Sequence, residues 1–438
     1  VLSFLIAGVV CGAAVMCYAE FASMIPVAGS AYTFTYTTVG EIVAWVIGWD
    51  LILEMLMAGS VVSKYWGVYL NQFFELIGWN INTNIAIGSF NFDLAPVIIV
   101  AFFTALLVMG TKIGARVDGA LTILKIAIVV FIVVVGFFYI KAENFTPFIP
   151  PSEPAASTDG SGVSAVMEQP LWQWATGMAP SIYGVTGIIS GAALVFFAFL
   201  GFDVVATASE ETINPKKNVP LGIGVGLGLI IVLYTLVAIV TTGMVSYKDL
   251  AKQSDPSLAV AFKMVGADWA AKIISLGIVI GMATVVMVLL LGLTRVVFAM
   301  SRDGLLPRGL SHTGKHGTPV RLQIIVGVVM ALIAACCNVG ILSDMVNIGT
   351  LSAFTLVAIS IPIMRKKRPD LERSFKIPGN PWVPILIAIA NLWLMVNLSV
   401  LTWIRFVVWL IVGFAIYFGY GYRHARLGAG ELEVAAQE

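Results

Sequence analysis

Eleven long apolar stretches recur along the 438-residue chain, at about 1–22, 42–66, 94–110, 119–140, 184–208, 219–245, 272–300, 321–339, 343–364, 383–400 and 402–421. About 20 mostly apolar residues in helical form cross a bilayer's hydrocarbon core. Lipid offers no partner to a backbone N–H or C=O, so only a helix or a closed barrel can span it. Unbroken apolar runs of this length read as membrane helices. The last two stretches share one apolar run, too long for a single crossing, and are expected to form a hairpin. The expected fold class is therefore an all-α polytopic membrane protein with eleven spans.

Composition agrees. Hydrophobic residues make up 59% of the chain and charged ones 11%, against about 25% charged in soluble domains. A net charge of +1 gives no field for nucleic acid. His312, His316 and His424 lie in polar stretches without metal-ligand spacing, so no metal and no cofactor are expected. Cys11, Cys17, Cys336 and Cys337 sit in apolar runs, which argues against a disulfide framework. No nucleophile–base constellation is visible, so the chain is not expected to be an enzyme.

Loop charges orient the bundle. Loops 23–41, 111–118, 209–218, 301–320 and 365–382, with Arg321 and the tail from 422, hold sixteen Lys and Arg. The opposite loops hold Lys141, Lys248, Lys252, Lys263 and Lys272. Short basic loops stay in the cytoplasm, which predicts a cytoplasmic C-terminus and 422–438 as a cytoplasmic tail. Val1 then falls outside, with no charged region before it. The expectation is that one N-terminal span is missing. Residues 141–182, with the Pro/Ser/Gly-rich PFIPPSEPAASTDGSGVS, read as a flexible outer loop, with Trp172 and Trp174 at the interface. Residues 24–41 read as an interfacial helix or a re-entrant segment.

Ionisable side chains at bilayer depth cost about 2.5–3.5 kcal/mol each on insertion scales and are functional candidates by default. Glu54 stands about twelve residues into its span, near mid-depth, and Asp50 precedes it by four on the same helical face. Like charges so placed repel, so at least one needs a cation, a proton or a polar cavity; the other reading is an Asp50 held by a buried donor and a neutral Glu54 in packing. Lys125 lies six residues into its span, too deep to snorkel easily. It is either a proton carrier, since a desolvated lysine readily loses its proton, or a fixed cation paired to an acid or a helix terminus. Asp203 follows Gly191, Gly201 and the aromatics Phe196, Phe197, Phe199 and Phe202. A helix broken near 197–201 would free backbone polar groups in mid-membrane, tolerated only where they line a cavity and typical of transporter sites; packing is the other reading of the aromatics. Glu20, Asp118, Glu210, Glu211 and Arg295 sit at cytoplasmic helix ends, able to pair with Lys112, Arg116, Lys216 or Lys217 or to form an inner gate.

YAEFASMIPVAGSAYTFTY (18–36), GWDLILE (48–54), the Lys125 span, VFFAFLGFDVVATASEETINPKKNVP (195–220) and TRVVFAMSRDGLLP (294–307) resemble amino acid permeases of the amino acid–polyamine–organocation superfamily, most closely its cationic amino acid transporter branch. The resemblance implies two inverted five-helix repeats plus two C-terminal helices. Residues 1–140 would be the remainder of the first repeat (helices two to five), 141–182 an extracellular loop, 183–364 the second repeat and 365–421 the two extra helices, with the first helix absent. It implies a substrate amino group received by carbonyls around Phe197, Ala198 and Leu200. Phe197 is then an aromatic gate, Asp203 lies below the pocket and Glu54 faces the substrate side chain. Lys125 occupies the place where sodium-coupled relatives bind an ion, implying proton coupling. Expected partners are an amino acid (arginine, lysine or ornithine; otherwise a broad or neutral range), protons and the plasma-membrane bilayer, with a small accessory membrane protein left open. A sensor or receptor built on a transporter scaffold is the remote alternative.

Overall fold

The computed structural model describes residues 1–24, 30–79, 83–87, 90–110, 115–154, 163–179, 181–202, 205, 214–253, 256–314, 318–370, 373 and 375–425. All eleven expected spans are helices: α1 (Leu2–Met24), α3 (Glu41–Leu76), α4 (Leu94–Val108), α5 (Ala115–Phe137), α6 (Gly184–Val195), α7 (Pro215–Met244), α8 (Asp268–Arg302), α9 (Val320–Cys336), α10 (Val339–Lys367), α11 (Trp382–Val396) and α12 (Val400–Ile416). Seven helical stretches are long and apolar enough to cross a membrane, and four further apolar helices are shorter. The hairpin inferred at the end of the chain is α11–α12. The short α2 (Ser30–Thr38) falls within 24–41. Its Ala31, Tyr32 and Tyr36 are buried, so it packs on α3 instead of lying on a lipid surface.

Burial follows the helical period. On α1 the buried set Ala7, Cys11, Ala14, Tyr18 and Phe21 recurs every three or four residues. Gly8 on α1 leaves room for Ile231 of α7, whose Cγ1 would stand 3.0 Å from a Cβ there. Small residues at such contacts let membrane helices approach where no hydrophobic force drives them together. α3 is the central helix: between Ala44 and Ser63 nearly every residue is buried, which its all-round apolar sequence requires. Three spans begin on side-chain caps: Asp93 accepts from the Ala95 amide, Asn338 from Gly340 and Ser399 from Thr402. Each satisfies an amide that the first helical turn leaves open.

The packing pairs are α1 on α7, α3 on α8, and α4 on α9. Flanking these, α5 packs on α8 and α7, while α10 packs on α3 and α1. α11 and α12 lie against α10.

Two local expectations change. Residues 141–182 are structured over much of their described length: a 3-10 turn at Ala142–Phe145, helices at Val163–Glu168 and Leu171–Thr176, and a two-residue pairing of Glu153–Pro154 with Ser181–Ile182. Asn144 Nδ2 donates to the Gly243 carbonyl at 2.7 Å, which ties the segment to α7. Trp172 is held by its Nε1–H donating to Asn397 Oδ1 at 2.8 Å, while Trp174 is exposed. Between α3 and α4 a small hairpin, Asn84–Ile87 with Phe90–Asp93, interrupts the otherwise all-α pattern.

Candidate functional site

The site is built around the end of α6. Helical geometry stops at Val195, continues as one 3-10 turn over Phe196–Phe199, and gives way to an extended Leu200 (φ −72°, ψ 158°) and Gly201 at φ +114°. Gly201 reaches that region because it has no Cβ. The i→i+4 ladder is therefore interrupted at the 197–201 stretch singled out in the sequence, inside an apolar bundle where every interrupted peptide group needs a new partner.

Neighbouring helices supply several. Asn347 on α10 is wholly buried and donates Nδ2–H to the Leu194 carbonyl at 3.0 Å, at the last turn before the break. The Cys11 thiol of α1 faces the Phe199 carbonyl at 3.7 Å. Higher up the same pair of helices, Ser3 Oγ donates to the Ile188 carbonyl at 2.9 Å. Asn347 was missed in the sequence; the signal was an amide side chain inside the apolar run SDMVNIGT.

The aromatics divide. Phe196 packs edge-on to Phe354 of α10 at 5.9 Å. Phe202 meets both Phe354 at 5.0 Å and Tyr18 of α1 at 5.3 Å. Phe199 lies 5.4 Å from Tyr234 of α7. Three of the four are thus buried packing residues. Phe197 is the fourth and stays half-buried, as do Ala198 and Leu200. Asp203 lies outside the described residues, as do Glu210 and Glu211.

Glu54 is 3% exposed on α3, one turn along from the wholly buried Asp50. α10 approaches this stretch closely: a Cβ on Gly349 would stand 3.1 Å from Leu53 Cδ2 and 3.5 Å from the Asp50 carbonyl oxygen. Neither Asp50 carboxylate oxygen has a hydrogen bond of good geometry, and Ser352 on α10 is the side chain that faces it. Lys125 is half-buried on α5, with its stem crossing Gly281 of α8: a Cβ there would lie 3.3 Å from Lys125 Cγ. The break, Glu54 and Lys125 therefore sit on three helices joined through α10 and α8.

Glu20 is bound by Arg365 at 2.6 Å, a partner not considered in the sequence; the Lys112, Arg116 and Lys216 side chains lie outside the described residues. Toward the face that carries the 141–182 segment, a cavity of about 1180 Å³ runs along α6 from Tyr183 to Leu194, bordered by Asp344 and Arg405. The Thr402 hydroxyl donates to the Asp344 carboxylate at 3.0 Å. Among the described residues, no group of three or more His, Cys, Asp or Glu could hold a metal ion.

The chain matches the family model described as amino acid permease over residues 1–419. It is 41% identical to the branched-chain amino acid permease BcaP of Bacillus subtilis, over 97% of this chain and 86% of that one. It is 40% identical to the methylthioribose transporter of Bacillus subtilis, over 98% of this chain and 87% of that one. With the vacuolar cationic amino acid transporter 2 of Arabidopsis thaliana it shares 37% identity, over 84% of this chain and 54% of that one.

Proposed function

The chain belongs to the amino acid permease family, and from that premise we propose that it carries cationic amino acids by alternating access, coupled to protons. Amino acid transport across a membrane is its coarse activity, and it is not an enzyme. The observation that carries the mechanism is the break at Phe196–Gly201. Carbonyls released at Ala198 and Leu200 accept the substrate ammonium, as discontinuous helices do in transporters of this kind. Phe197, the one aromatic of its cluster that is only half-buried, closes over the ligand. Asp203, two residues beyond Gly201 in the sequence, adds negative charge to the site.

Glu54 sets the preference for arginine, lysine or ornithine. A carboxylate in low dielectric attracts a guanidinium or ammonium far more strongly than it would in water, and charge-assisted hydrogen bonds are the strong ones. The second reading is a neutral, branched-chain substrate. It draws support from the 41% identity to a branched-chain permease and from the depth of Glu54 in the packing of α3. Lys125 carries the coupled proton.

The packing pairs support two inverted repeats, 1–140 and 183–364, with 365–421 as the added hairpin. Exchanging α1 with α7, α3 with α8, α4 with α9 and α5 with α10 returns the same set of contacts. The Lys/Arg-rich loops support the reading that 365–382 and the C-terminus face the cytoplasm, with the plasma membrane as the proposed location.

Uptake by proteoliposomes decides the substrate. Labelled arginine and leucine are offered separately, each competed by lysine, ornithine, isoleucine, valine and alanine. Accumulation of arginine, blocked by lysine and ornithine, is the expected result. Leucine accumulation indifferent to arginine would establish the neutral reading.

A further inference from the structure

At the charge-rich end of the bundle, one carboxylate ties three parts of the chain together. Glu20, in the last turns of α1, is wholly buried. Arg365, in the last turn of α10, grips it with both arms: Nε–H donates to Oε1 at 2.7 Å and Nη2–H to Oε2 at 2.6 Å. The same Nη2 donates to the Ile377 carbonyl at 2.9 Å, and the Ile377 amide returns a bond to Glu20 Oε2 at 2.8 Å. Arg373 Nε stands 3.8 Å from Glu20 Oε1.

We propose that this cluster is a latch that holds the charge-rich face of the permease shut. Its placement is the reason. α1 packs most extensively with α6 and α7, on the side of the broken helix; α10 also touches α1 and α6, but packs far more extensively with α3, on the side of Glu54. A ligand held between those two groups leaves on this side only when they part there, and the Glu20–Arg365 pair spans the parting line. The chemistry suits a two-position device. Bidentate, with Glu20 wholly buried and the Arg365 side chain 19% exposed, the pair is strong, because stripping the arginine leaves a buried carboxylate. Once the groups separate and both ends are fully hydrated, the pair contributes little. The closed state thus limits the water that would weaken it.

The protein carries its own reporter. Cys17 lies one turn before Glu20, is 1% exposed, and carries a free thiol. In a chain whose other three cysteines are replaced (Cys11→Ala, Cys336→Ser, Cys337→Ser), a membrane-impermeant methanethiosulfonate should modify Cys17 slowly. Glu20→Gln keeps the shape and removes the charge; labelling should rise at least about tenfold, because a ligand-free population shifts toward the open form. Arg365→Lys keeps the charge and loses the fork, so its rate should fall between. Arg365→Lys carries the comparison alone if Glu20→Gln does not fold.

A saturating transported amino acid should accelerate labelling in the parent but not in Glu20→Gln, a dependence that a merely loosened helix end would not show. Labelling as slow as in the parent for every variant that folds would overturn the latch. The inference rests on the proposed orientation for its sidedness alone. Acceleration in inside-out vesicles supports both. Acceleration confined to right-side-out vesicles supports the latch and reverses the orientation.

Discussion

At the scale of single residues, the informative positions were those whose cost had to be offset. Glu54, Asp50 and Lys125 stand out in the sequence because each charge sits where water is scarce. The structure buries the two acids and half-buries the lysine against α8. Their partners were not legible, because a helical pattern gives the face of a helix and not its neighbour. Glu20 shows the limit: its bidentate partner Arg365, 345 residues away, was not among the candidates considered in the sequence. At Glu54 the proposed function makes a direct claim. Glu54→Gln removes charge and keeps volume, so binding of arginine and lysine should weaken by about 2–5 kcal/mol, the cost of breaking a buried charge pair. Alanine and serine should be spared. Competition binding checks it, and an equal loss for neutral and cationic ligands would make Glu54 a structural residue.

Elements were legible in proportion to how regular they are. The break in α6 could be placed from Gly201 and its aromatics because glycine tolerates a backbone that other residues resist. What stabilises the break was hidden, since Asn347 reads as one polar residue in an apolar run. Its amide satisfies the Leu194 carbonyl. Removing such a partner exposes a buried group's desolvation cost, about 1–3 kcal/mol. Asn347→Ala should therefore lower the melting temperature in detergent and slow uptake, while Asn347→Asp, which has no amide hydrogens, should fare no better. If Asn347→Ala leaves both unchanged, the amide does not support the break. The contact between α3 and α12 offers a second test. Trp49 and Trp409 stack at 4.4 Å, and Trp49 Nε1–H donates to the Trp409 carbonyl at 2.9 Å. Gly413 makes the stack fit: a Cβ there would stand 2.5 Å from Trp49 Nε1. A rigid double ring cannot move aside cheaply, so Gly413→Ala should destabilise by about 1–3 kcal/mol, as overpacking does. Gly222 on α7, where a Cβ meets open space, is the control; its alanine variant should melt no lower.

For the whole molecule, the helical membrane class followed from hydropathy, since long apolar runs admit few other folds in lipid; among the described residues seven of the helices are long enough to cross by themselves and four are shorter. The small hairpin before α4 and the helices within 141–182 were not legible, because short segments held by tertiary contacts carry no period of their own. Which helices pair was equally hidden, and that pairing decides what Lys125 can do. Its stem crosses Gly281 on α8, a helix that also packs on α3. A lysine that is dry in one arrangement of these helices and hydrated in another binds its proton with different affinity in each, because burial disfavours the charged form. Linkage is reciprocal, so a group whose proton affinity follows the cycle ties proton movement to substrate movement. Lys125→Ala should abolish the dependence of uptake on an inward proton gradient while leaving exchange of internal for external substrate. Lys125→Arg, always charged, should behave as a permanently protonated carrier, fixed at one rate across the same range. The measurement is uptake at a clamped membrane potential between about pH 5 and 8. An unchanged pH profile in Lys125→Ala, at normal expression, would make Lys125 a packing cation against α8 and pass the coupling role to the acids of α3.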